Sequence, residues 1–88
     1  MTVTVEASGE RSTRTLEAQP GAVSEARSWT VSVTRGLLDP EQVQSLRLIV
    51  SELVTNALRH GAEGERIDLA VTPKPEFLCV QVLSLIHI

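Results

Sequence analysis

The sequence predicts an α+β fold: a two-layer sandwich with two helices packed on one face of a small, mostly antiparallel sheet. Three observations carry that expectation. Residues 43–58 repeat apolar side chains at helical spacing behind an Asp-Pro start signal. Residues 66–72 alternate apolar and polar, the period of a strand with one face buried. A second apolar run, 77–82, follows across a proline-rich turn, which predicts an antiparallel hairpin. Helices segregated to one face of such a sheet bury both apolar surfaces at once.

At 88 residues one domain is expected, with a thin core. The segment 1–12 is small and polar, with Ser8-Gly9-Glu10-Arg11-Ser12 as a loop signal. Thr2–Val5 alternates like a strand, but a flexible, unanchored tail is the expectation for 1–12. Thr13–Ala18 reads as a short edge strand. Pro20-Gly21 breaks it, and Pro20 suits the first turn of a helix, where its missing N–H costs nothing. Ala22, Ala26, Trp29, Val33 and Leu37 then recur at helical spacing, which predicts a helix over 20–35. The run Thr30-Val31-Ser32-Val33-Thr34 competes, because β-branched residues favour strands. The apolar period continues through it, so helix is preferred, with Gly36 as the C′ residue and Leu37 as the contact after it.

The second helix is the firmest element. Asp39 is placed to cap, Pro40 to sit at N1, and Gln42 to complete a capping box. Val43, Leu46, Ile49, Val50, Leu53, Val54, Ala57 and Leu58 then form a broad apolar face over about five turns. His60 falls in the last turn and Gly61 ends the helix. Ala62–Glu65 is a short loop. In the next strand Ile67, Leu69 and Val71 face one way, and Asp68, Ala70 and Thr72 the other. Pro73-Lys74-Pro75-Glu76 is a turn, whose prolines interrupt any continuous strand. Phe77–Val82 is apolar on both faces, which predicts a central strand. Leu83-Ser84-Leu85-Ile86-His87-Ile88 is apolar without turn chemistry, and an exposed apolar strand end is an association hazard. It is expected to be a non-native tail joined to a truncated reading frame.

Composition excludes several classes. The net charge is −3, and the eight Lys and Arg form no run, which argues against a nucleic-acid module. Trp29 and Phe77 are the only aromatics, too few for a base-stacking platform. Cys79 alone allows no internal disulfide and, with two His, no familiar zinc site. No signal peptide or membrane-length apolar run is present, so a soluble cytoplasmic protein is expected, bound neither to nucleic acid nor to membrane.

The chemistry gathers at the end of the second helix. Glu52 and Asn56 are spaced i to i+4, one turn apart on one face, and Arg59 follows three residues on. A carboxylate, a carboxamide and a guanidinium therefore line one stripe. Solvated side chains are the ordinary reading of an isolated Glu and Asn pair. Asn is a poor mid-helix residue, however, and a function would explain its small local cost. Arg59 and His60 also complement the helix dipole, and for His60 that reading is preferred over ligand binding. Trp29 is expected in the core, and Cys79 as an inert buried side chain.

The stretch Ser51-Glu52-Leu53-Val54-Thr55-Asn56-Ala57-Leu58-Arg59-His60-Gly61 resembles the N-box of the histidine-kinase-like ATPases, the Bergerat-fold superfamily, and is especially similar to the branch of anti-sigma-factor serine kinases. The resemblance covers residues 13–82 and implies a partial Bergerat fold. It implies ATP and Mg2+ as cofactors, with Asn56 as the metal ligand and Glu52 as the catalytic base. Arg59 and, less directly, His60 would contact the nucleotide. The function it implies is the ATP-binding part of a serine/threonine protein kinase that regulates transcription by phosphorylating an antagonist protein. Its partner would be that antagonist or a sigma factor, with a homodimer possible. The alternative is a non-catalytic regulator that sequesters a sigma factor or other partner. One departure matters: the family's downstream Asp and glycine-rich lid have no counterpart, since Gly64 is the last glycine, and no Walker A pattern replaces them. The 88-residue chain is therefore expected to be inactive as a kinase, and to bind ATP weakly or not at all.

Overall fold

The computed structural model describes residues 2–3, 11–60 and 66–84. In chain order it runs β1 (Thr2–Val3), β2 (Ser12–Glu17), α1 (Ala22–Val33), α2 (Pro40–His60), β3 (Arg66–Pro73) and β4 (Leu78–Ser84). The strands form one sheet in the order β1-β4-β3-β2, antiparallel throughout. Both helices lie on one face of it, as a two-layer α+β sandwich. Helix α1 packs against β2 and β3 and along α2, and α2 reaches β4.

The core is the meeting of two periods. Leu16, Ile67, Leu69, Val71, Leu78 and Val80 come from the inward face of the sheet. Ala22 and Ala26 of α1 and Leu46, Val50 and Val54 of α2 come from the helices. The alanines on α1 let that helix approach the sheet closely, while the larger residues of α2 fill the space beside it. Trp29 is half-buried at the rim and packs against this core.

The caps of α2 form as the sequence predicts. The Gln42 N–H donates to Asp39 Oδ1 at 2.8 Å, and the Asp39 N–H donates to Gln42 Oε1 at 3.0 Å. This reciprocal pair satisfies two donors that a helix start leaves open. The β-branched run in α1 is also helical. Thr30 and Thr34, both buried, turn their hydroxyls onto carbonyls one turn back, Ala26 at 2.7 Å and Thr30 at 2.8 Å. Back-bonding of this kind satisfies a hydroxyl inside the core without a side-chain partner.

Several expectations need correction. Pro20 is not in the first turn of α1: the Ala22 N–H bonds to the Gln19 carbonyl at 2.9 Å, so Pro20 is the second residue of a turn and Gly21 is the N-cap. Helix α1 ends at Val33 with Thr34 as C-cap, so Gly36 lies beyond C′. Gly36 has φ +84° in a turn closed by the Leu37 N–H to the Thr34 carbonyl at 3.0 Å, and glycine suits that left-handed backbone. Pro73 belongs to β3 as its last residue, opposite Leu78, a strand-end position where proline is tolerated. Phe77 precedes β4: it is exposed, and its carbonyl accepts the Lys74 N–H at 2.7 Å to close the hairpin turn. Cys79 is only half-buried, because Leu78 and Val80 take the core-facing positions and Cys79 points to the open face.

The segment expected to be a tail is structured at its two ends. Thr2 and Val3 pair with Cys79 and Leu78, and Ser12 opens β2 opposite Val71. Strand β4 would otherwise show unpaired backbone groups along one edge, and β1 satisfies some of them. At the other end Leu83 and Ser84 continue β4 opposite Asp68 and Ile67. Gly61, the expected loop 62–65 and residues 85–88 lie outside the described residues.

Candidate functional site

Helix α2 buries Leu46, Val50 and Val54 and so turns the opposite stripe outward. Glu52, Thr55, Asn56 and Arg59 are all exposed on that stripe. With half-buried Ser51 and Leu53 they line an open concavity of about 490 Å³. The structure thus brings together three of the four expected site residues, Glu52, Asn56 and Arg59. It does not bring in the fourth: His60 is exposed in the last turn and is not among the lining residues.

Glu52, Asn56 and Arg59 make no hydrogen bond or ion pair with any described residue. The wall beside them is held in place. Arg27 of α1 donates through Nη1 to Ser51 Oγ at 3.2 Å, and Ser51 Oγ donates to the Arg47 carbonyl at 2.7 Å. This two-bond relay ties α1 to the turn of α2 just before Glu52, so the stripe is presented from a braced helix. Sequence reasoning missed Arg27, Leu53 and Thr55 as parts of the surroundings. Thr55 was legible from helical spacing, one turn from both Glu52 and Arg59. Arg27 was not, because its contact with Ser51 spans separate helices.

The donor set suits a magnesium–phosphate group. Among the described residues no cluster of three His, Cys, Asp or Glu can hold a metal alone. A site made of one carboxamide oxygen, water and phosphate oxygens is the kind that magnesium takes, since it keeps its waters and is shared with substrate phosphates. The lining offers hard oxygens from Asn56, Glu52, Ser51 and Thr55, with a carboxylate at Glu52 and a guanidinium at Arg59.

A second concavity, about 390 Å³, lies on the sheet face away from the helices, where Thr13, Thr15, Asp68, Ala70, Gln81 and Leu83 meet. Thr15 Oγ1 donates to Asp68 Oδ1 at 2.9 Å across the β2–β3 ladder, and Arg66 lies 3.6 Å from the same carboxylate. No helix among the described residues is long and apolar enough to cross a membrane.

Comparison with curated proteins and with solved structures returns no match. The family model of the histidine kinase-like ATPase domain matches residues 16–83, from the last two residues of β2 nearly to the end of β4. A match over so much of an 88-residue chain, with the two-layer architecture and the Glu52–Asn56 stripe in place, means that the chain belongs to the histidine kinase-like ATPase domain family.

Proposed function

We propose that this chain supplies the magnesium and phosphate half of an ATP site, in a domain of the anti-sigma-factor type that phosphorylates a serine or threonine of an antagonist protein. The observation that carries the proposal is the concavity on α2. Glu52 and Asn56 stand one turn apart on its wall with no hydrogen-bond or ion-pair partner among the described residues, a placement that suits ligand binding.

Asn56 offers Oδ1 as a ligand for the metal. Magnesium, when bound, offsets the charge on the phosphates and the leaving group. Glu52 is placed to accept the proton of an attacking hydroxyl. Arg59 donates to phosphate oxygens as a positioning cation. The acceptor's identity, the regulation of transcription and a cytoplasmic location all belong to this proposal and rest on the resemblance of residues 51–61.

The test is titration with MgATP, with and without magnesium, of the wild type, Asn56→Ala and Glu52→Gln. Binding by the 88-residue chain should be weaker than micromolar, and should lose its magnesium-dependent part in Asn56→Ala while keeping it in Glu52→Gln. Equal binding with and without magnesium in the wild type would overturn the assignment of Asn56. A second reading, a non-catalytic regulator that docks a sigma factor or other protein, is favoured by Leu48. It is 62% exposed one turn before Glu52 on the same stripe. Capture of such a partner that survives both substitutions would support that reading instead.

A further inference from the structure

Arg27 is the one half-buried arginine among the described residues. Arg14 is paired with Glu25 at 2.7 Å and Arg66 stands 3.6 Å from Asp68, but Arg27 meets no carboxylate among the described residues. Its one hydrogen bond there runs from Nη1 to Ser51 Oγ at 3.2 Å, a long bond to a neutral acceptor. A guanidinium carries five N–H donors, so most of this one's capacity is unused within that set. Half-burial removes hydration that a single hydroxyl offsets only in part. The partner that would complete Arg27 is an anion.

Ser51 is where this charge meets the concavity on α2. Its Oγ belongs to the wall, and its own proton goes to the Arg47 carbonyl at 2.7 Å. Arg27 itself is not among the lining residues, but its guanidinium stands 3.2 Å behind a wall atom. Exchanging that bond for a charge-assisted one to a phosphate oxygen is favourable. Along α2 the groups come in a fixed order: Ser51 with Arg27, then Glu52, then Asn56, then Arg59. At 1.5 Å per residue, Asn56 lies about 6 Å and Arg59 about 10 Å beyond Glu52 along the axis. A base must reach the hydroxyl that attacks the terminal phosphorus, and the metal bridges the last two phosphates. The terminal phosphoryl group therefore belongs at the Glu52 end, beside Arg27, and the inner phosphates at the Arg59 end.

We infer that Arg27 is a cation for the terminal phosphoryl group, supplied from α1 within the same chain. The inference rests on the magnesium–phosphate reading of the stripe and adds a second helix to that site. Its physical need is electrostatic. The one carboxylate of the lining, Glu52, would stand next to the most negative phosphate and repel it. A guanidinium beside that carboxylate offsets the repulsion and faces the charge spread over the transferring group's oxygens. The consequence is a preference for a nucleoside triphosphate over the diphosphate that carries no terminal group.

Nuclear magnetic resonance titration of the isotope-labelled 88-residue chain with MgATP and with MgADP, up to millimolar nucleotide, tests it. The wild type should bind MgATP more tightly than MgADP. Arg27→Gln keeps a donor for Ser51 and removes the charge. It should weaken MgATP binding about tenfold and leave MgADP within about twofold, erasing the preference. Arg27→Lys keeps the charge and should keep most of the preference. In the wild type, the Arg27 Nε–H signal should shift with MgATP and stay in place with MgADP. A signal unmoved by MgATP overturns the inference, whether or not the variants fold. So does an Arg27→Gln variant that weakens both nucleotides alike, since Arg27 is then only a brace between the helices. A lysine variant no better than the glutamine one overturns it too, because charge is then not what counts. An unchanged preference in Arg27→Gln, with magnesium-dependent binding lost in Asn56→Ala, overturns this inference and leaves the magnesium–phosphate reading standing. No binding of either nucleotide overturns both.

Discussion

At the scale of the residue, position on α2 decides what each polar side chain can do. Glu52 and Asn56 are identical in exposure class to Thr55 and Arg59, and all four line one concavity, so geometry alone does not rank them. Chemistry separates them: Glu52 has the one carboxylate of the lining, and under the proposed reading the Asn56 carboxamide oxygen is the magnesium ligand. Asn56→Ala should weaken magnesium-dependent nucleotide binding by about tenfold to a hundredfold, the cost of one lost oxygen ligand. Isothermal titration at matched magnesium checks this, and an unchanged affinity would sink the assignment. Thr30 makes a contrasting case inside the fold. Its hydroxyl bonds to the Ala26 carbonyl at 2.7 Å, an acceptor that helix geometry already satisfies. Thr30→Val keeps the shape and strands no partner, so it should change stability by less than about 1 kcal/mol in urea unfolding followed by Trp29 fluorescence.

At the scale of the element, α2 is organised from its start. The reciprocal bonds between Asp39 and Gln42 satisfy backbone donors, and Pro40 enters at N1. Asp39→Ala removes the acceptor for the Gln42 N–H and should cost about 1 kcal/mol, with Asp39→Asn retaining most of it. A urea midpoint that does not move would show that tertiary packing alone sets where α2 begins. Helix α1 is the weaker element on its own terms. Its N-cap, Gly21, makes no side-chain cap bond, and its last turns are β-branched. Its stability must come from packing: Ala22 and Ala26 against the sheet, and Arg27 tied to Ser51. The ion pair Arg14–Glu25 also joins α1 to β2, but both side chains are more than 40% exposed. Glu25→Gln should therefore cost less than about 1 kcal/mol, and little of that at high salt.

At the scale of the whole molecule, a thin core leaves little reserve. Leu46 is fully buried where α2 faces the sheet and α1, and Leu46→Ala should cost about 2–5 kcal/mol through lost transfer energy and the cavity left behind. For a domain of this size that is a large share of total stability, so the variant should be partly unfolded at 37 °C by circular dichroism. A fully cooperative, undiminished melt would mean that the layers can collapse onto the gap. Function at this scale is a matter of which parts of a nucleotide site stand on the framework. The stripe on α2 is the part we propose for phosphate and metal, and the described strands add no carboxylate to it, since Asp68 lies on the opposite face of the sheet. Affinity for MgATP weaker than micromolar is the expected outcome for the 88-residue chain, and micromolar binding would refute it.

Much of this was legible in local pattern. The Asp39-Pro40 start, the apolar face of α2 and the alternation of Ile67, Leu69 and Val71 each depend on residues a few positions apart. Those spacings translate directly into caps and faces. The i to i+4 relation of Glu52 and Asn56 was legible for the same reason, and so was the family. What local pattern could not decide were contacts whose partners are far apart in the chain. The edge pairing of Thr2–Val3 depends on β4, some 75 residues away. The side-chain relay from Arg27 to Ser51 depends on how two helices pack. The half-exposure of Cys79 depends on which face of β4 the helices cover. The sequence by itself determined the two helices, the strands β2 to β4 and which residues share a stripe. Only the tertiary structure decided which stripe of α2 faces outward and which face of the sheet the helices cover, because burial is a property of the neighbours that the fold brings in.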